Sequence, residues 1–206
     1  MNFIRVVMLR RSWGLVLLSF LLCSACGIVR SPRDGYGLLR KCDRACLAKY
    51  TPDAPLYPRN STYHVLYEIT GTAVRAFMGV PGAQTCVVVW RPWEKGEGCK
   101  DMSYYKSLAQ SLHERGVTFF LVSPYYDVPN ARARRASCDY EGRVFVIDHD
   151  VYGKRPRARA QRLFVEDLLA GGRGSDSVAR ADSYFFRGDS LVYAGGVDEM
   201  VTMVGK

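Results

Sequence analysis

Apolar residues occur along this chain in two kinds of run. Residues 85–90 (T-C-V-V-V-W) and 117–123 (V-T-F-F-L-V-S) are nearly continuous, as expected for strands covered on both faces. Residues 63–69 and 143–148 (R-V-F-V-I-D) are rich in aromatic and β-branched side chains and also read as strands. Between them the period changes. Met102, Tyr105, Leu108, Ala109 and Leu112 share one face of a helix over 102–115, which Asp101 can cap and Gly116 ends. Phe164, Val165, Leu168 and Leu169 make the apolar stripe of a second helix over 159–170, and residues 72–78 make a short one. Residues 184–186 and 191–193 flank Gly188-Asp189, a tight-turn pair, and predict a hairpin. Strand, helix, strand at this spacing predicts a right-handed parallel βαβ unit. The fold class expected is α/β: a mixed sheet with flanking helices and a C-terminal β-hairpin.

The first 62 residues differ from the rest. Arg5, Arg10 and Arg11 precede an apolar run over 13–22, which is too short for a bilayer core needing about 20 apolar residues. A charged start, a short apolar middle and small residues before a cleavage point describe an export signal. Ser24-Ala25-Cys26 resembles the lipobox of bacterial lipoproteins, departing from it at Cys23, where most members have an aliphatic residue. The resemblance implies a lipid on Cys26, palmitate among its acyl chains. It places the protein in the cell envelope, on the periplasmic or outer face of a bacterial membrane. Each buried methylene contributes about 0.8 kcal/mol, so several chains make a durable anchor. The alternative is an ordinary cleaved signal with a chance cysteine. Residues 38–50 can form a short helix with Cys42 and Cys46 on one face. Residues 51–60 hold Pro52, Pro55 and Pro58 and read as an extended linker. The expected organisation is a signal peptide over 1–25, a tether over 26–62 and one domain over 63–206.

Charge changes this picture little. The formal net charge is +9; three of the 29 basic residues and none of the 20 acidic ones lie in the leader, so the remainder carries +6. That excess permits contact with anionic surfaces without arguing for nucleic acid, and no nucleic-acid motif or Gly-rich phosphate loop is present. Arg132, Arg134 and Arg135 form one basic patch; Lys154, Arg155, Arg157, Arg159 and Arg162 form another. They read either as solvated faces or as contacts for phosphate-bearing glycolipids or an acidic partner.

Trp90-Arg91-Pro92-Trp93 directly after a buried strand resembles the active-site approach of the thioredoxin family, where W-x-x-W leads at once into C-x-x-C. The βαβ order and the terminal hairpin are also similar, over about residues 63–200, with the strand at 143–148 as an insertion. The resemblance implies a thioredoxin-like domain, but the dithiol is missing. Read without gaps, Glu94 and Glu97 occupy the two cysteine positions, with Trp90 and Trp93 flanking the site. Read with a two-residue insertion, Cys99 becomes the second cysteine. The stretch before the hairpin, Arg180 to Ser183, also lacks the family's proline. Dithiol exchange needs one thiolate to attack and a second to resolve, and glutamate does neither. A helix start beside Cys99 supplies about half a unit of positive charge, which Glu94, Glu97 and Asp101 oppose.

Two functions follow. One is an envelope lipoprotein with a catalytically degenerate thioredoxin-like domain that binds an envelope protein partner. The other is a monothiol oxidoreductase using Cys99, resolved by Cys138. Neither implies a cofactor. Cys42 and Cys46 are placed to form a disulfide; as metal ligands they lack two companions, His64 being the nearest histidine, so no metal site is expected. Cys86 reads as a packed thiol. Asp148-His149-Asp150 has the residue types of acid–base chemistry but reads more simply as a solvated turn at a strand end.

Overall fold

Seven strands form one mixed sheet in the computed structural model, which describes residues 35–56, 64–92, 100–153, 157–170 and 176–204. The leader, Cys26, Trp93, Glu94, Glu97 and Cys99 lie outside the described residues. The strands are β1 (Leu47–Lys49), β2 (Leu66–Ile69), β3 (Gln84–Val89), β4 (Val117–Ser123), β5 (Val144–Ile147), β6 (Ser183–Arg187) and β7 (Ser190–Gly195). Their spatial order is β1-β2-β5-β4-β3-β6-β7. The first five in that order run parallel, while β6 pairs antiparallel with β3 and β7 with β6.

Helices cover both faces, which is why the central strands are mostly apolar. On one face α3 (Met102–Glu114), α4 (Val128–Cys138) and α8 (Val197–Val204) bury Met102, Leu108, Leu112, Val128 and Met200 against Cys86, Phe119 and Val146. On the other, α2 (Gly71–Met78) and α6 (Arg157–Leu168) bury Val74, Met78, Phe164 and Leu168 against Val87, Phe120 and Phe145. The expected stripe of α3 is buried in full, Asp101 caps it through the Tyr104 amide at 2.9 Å, and Gly116 takes φ 74° beyond its end. Gly71 has a steric role: a Cβ there would lie 2.5 Å from the Phe164 carbonyl oxygen, so its absence lets α2 meet α6.

The N-terminal stretch departs from expectation. A 3-10 turn over Tyr36–Leu38 precedes α1 (Lys41–Arg44), which is the only α-helical part of the expected 38–50 helix, and the chain then turns at Cys46 into β1. Leu47 lies in register with Leu66, so pairing with β2 gains ladder hydrogen bonds and an apolar neighbour that a solvent-exposed helix would lack. Part of the expected tether is therefore an edge strand. The proline-rich stretch is pinned as well, since the Arg143 Nε donates to the Pro55 carbonyl at 2.6 Å. The described residues belong to one compact unit, Arg33–Lys206. Helices α4 and α8, and the single turns α5 (His149–Tyr152) and α7 (Asp176–Ala179), were not expected from the pattern. Among the described residues no helix is long and apolar enough to cross a membrane.

Candidate functional site

In an open α/β sheet, ligand crevices form at the carboxyl ends of parallel strands whose connections leave towards opposite faces. β4 and β5 meet that condition. The connection after β4 enters α4 on one face, and the connection after β5 leads to α6 on the other. Tyr126 follows β4, Asp148 and His149 follow β5, and Glu68 lies near the end of β2 beside Lys49 of β1.

These residues form a closed network. The Lys49 ammonium lies 2.6 Å from Asp148 Oδ1, 2.9 Å from Asp150 Oδ2 and 3.1 Å from Glu68 Oε2. His149 Nδ1 contacts Glu68 Oε1, and His149 Nε2 lies 3.0 Å from Asp150 Oδ1. The Tyr126 hydroxyl, which also contacts the Ile147 carbonyl, is 3.1 Å from the same Glu68 oxygen. The Tyr36 ring stacks on the His149 imidazole, with centroids 3.4 Å apart and planes 9° from parallel. Burial, and then the Glu68 charge, push the Tyr126 phenol far above its ordinary range, so it remains a neutral donor. Burial opposes the Lys49 ammonium, but hydrogen bonds to Asp148, Asp150 and Glu68 outweigh it and raise its pKa.

Glu68, Asp148 and His149 each offer one ligand atom, all within 4.8 Å of one another, which is a metal-like set. The ammonium of Lys49 already bridges both buried carboxylates, however, and the Tyr36 ring covers the imidazole. Every carboxylate of the network has a donor within reach, and the network ties residues 36–49 to the sheet. Asp148-His149 is thus no solvated turn: both side chains are about nine-tenths buried, with Lys49 on Asp148, and Glu68 and the Tyr36 ring on His149.

The expected redox edge lies at the end of β3. Trp90 is 1% exposed, and its indole nitrogen has no hydrogen-bond partner among the described residues. A pocket of ≈170 Å³ opens beside it, lined by Lys100, Tyr105, Asp182, Asp198 and Glu199. Lys100 pairs with Asp198 at 3.0 Å. The described thiols, Cys42, Cys46, Cys86 and Cys138, are free. The Cys46 Sγ donates to the Cys42 carbonyl at 3.5 Å rather than bonding to its sulfur. Cys86 is fully buried and its thiol is pushed far up by desolvation, as befits a packing residue. Burial also raises the Cys138 thiol.

The two basic patches separate. Arg135 is 1% exposed and donates to the Val65 and Gly142 carbonyls at 2.8 and 3.0 Å, so it is an interior tie rather than a solvated charge. Arg132 is held by His64 Nδ1 at 2.9 Å and the Cys46 sulfur at 3.2 Å. Arg159 and Arg162 instead line an open groove with Arg91 and Arg180, two arginines that the sequence patch did not include. No family model, curated protein or solved structure matches this chain, so its site is read from its own geometry.

Proposed function

We propose that this chain is an envelope lipoprotein whose thioredoxin-like domain binds a partner rather than exchanging disulfides. With α4 and β5 set aside as an insertion, the chain runs β2-α2-β3-α3-β4, then α6, the β6–β7 hairpin and α8. That succession supports the thioredoxin likeness. The observation that carries the functional reading is at the end of β3. Trp90 leads into a segment whose sequence offers Glu94, Glu97 and a single sulfur, Cys99, where a redox relative presents two. Resolution of a mixed disulfide then lacks its second thiolate at that turn. The test is reduction of insulin disulfides by the purified chain, coupled to glutathione. No turnover above background is expected, and turnover that disappears in Cys99→Ser refutes the reading. The anchor is tested separately by labelling cells with a palmitate analogue. Label is expected on the wild type and absent from Cys26→Ser; equal labelling of both removes the lipoprotein reading.

A monothiol oxidoreductase is the second reading, and one observation favours it. Cys138 is half-buried at the end of α4, where its carbonyl accepts from Lys106 of α3 at 3.1 Å. It therefore sits beside α3, whose first residue, Met102, Cys99 precedes by three in the sequence. Mass spectrometry after trapping decides: a Cys99–Cys138 disulfide that forms and reopens with glutathione supports this reading, and a Cys99 inert to alkylation excludes it.

A further inference from the structure

A groove of ≈820 Å³ beside α6 and α7 gathers four arginines from three separate parts of the chain. Arg91 follows β3, Arg159 and Arg162 project from α6 three residues apart, and Arg180 follows α7. Two of the four are matched: Arg91 lies 2.9 Å from Asp182, and Arg162 lies 3.0 Å from Glu166. Among the described residues no carboxylate pairs with Arg159 or Arg180, and Asp176 is the other acidic side chain on the lining. Arg159, Arg162 and Arg180 are all exposed, so none is held there by burial in the core.

From this arrangement we infer that the groove binds a small anion carrying two or more phosphate groups. Like charges converging on one hollow repel one another unless an anion lies among them. Guanidinium forks match phosphate oxygens two at a time, so two phosphate groups can engage Arg159 and Arg180, the two without a carboxylate partner among the described residues. The volume is that of a small-molecule site, larger than a single inorganic ion requires. The arginines surround a concavity, whereas contact with a flat lipid surface needs them on a convex or level face. Phosphate groups are the shared chemistry whether the ligand is soluble or is the headgroup of a lipid. This inference is independent of the state of Cys99.

Isothermal titration of the full chain in non-ionic detergent tests it, with inorganic pyrophosphate as probe. Pyrophosphate is expected to bind, and orthophosphate to bind about tenfold more weakly, because it engages half the forks. The double variant Arg159→Gln/Arg180→Gln is expected to weaken pyrophosphate by about tenfold or more while leaving the circular dichroism unchanged. Arg187→Gln removes one exposed charge at the β6–β7 turn, away from the groove, and is expected to change nothing. Adding micelles doped with cardiolipin separates the sources: displacement of pyrophosphate assigns the site to a lipid headgroup, and its retention assigns it to a soluble ligand. Absence of pyrophosphate binding, or equal weakening by Arg187→Gln, overturns the proposal.

Discussion

The crevice around Glu68 and the groove around Arg159 are both charged, yet charge is handled in opposite ways. In the crevice each carboxylate meets an ammonium, an imidazole or a phenol within hydrogen-bonding reach. Each of these carboxylates already has a donor inside the chain, and the network holds the N-terminal segment in place. In the groove two of four guanidiniums have no carboxylate partner among the described residues, so charge remains for something outside the chain. A cluster of ionisable residues is therefore better judged by what remains unmatched than by how many groups it holds.

The sharpest way to break the comparison is to open the crevice. Glu68→Ala should cost about 3 kcal/mol, because the buried imidazole and phenol lose their common acceptor. Urea denaturation would show it as a lowered midpoint. Removal of the stacked ring in Tyr36→Ala should cost about 1 kcal/mol and speed amide exchange over residues 36–49 before the rest of the domain. Lys49→Met should also cost about 1 kcal/mol, because solvent screening at a side chain 47% exposed offsets much of the loss of counter-charge to the buried Glu68 and Asp148.

Alkaline pH sharpens the same contrast. The folded Lys49 and Tyr126 both hold their protons above the ordinary values of 10.5 and 10.0. Their stabilisation is therefore complete below pH 10.0 and lost as pH rises beyond it, because the unfolded chain releases those protons first. Thermal melts should fall above that pH, and Lys49→Met should fall less steeply. The smallest effect belongs to the groove: Arg159→Gln/Arg180→Gln should leave the urea midpoint within about 0.5 kcal/mol of wild type. A loss as large as that of Glu68→Ala would mean that the groove, too, is internally committed.

What the sequence revealed follows from where the information lies. β3 and β4 were legible because strands between two helical layers are apolar along most of their length, and α3 because five of its residues repeat along one stripe. α4 was not, since only Val128, Ala131 and Arg135 face inward, and a buried arginine disguises the periodicity. β1 is three residues long, and its reason to be a strand is its neighbour, Leu66. The crevice was half visible. Asp148 and His149 stood out as residue types, but their partners Lys49 and Glu68 lie 99 and 81 residues away in the chain. The groove was hidden for the same reason: Arg91 and Arg180 join Arg159 and Arg162 only when β3 and α7 are brought beside α6.

The position of Tyr36 also sets a leash. Under the proposed lipidation of Cys26, ten residue steps would separate the anchor from the ring seated on His149, and a fully extended chain of that length reaches about 35 Å at most. The carboxyl edge of the sheet near Tyr36 would then stay within roughly one bilayer-core thickness of the membrane surface. A partner met there would have to be embedded in that membrane or come within the same short radius of it.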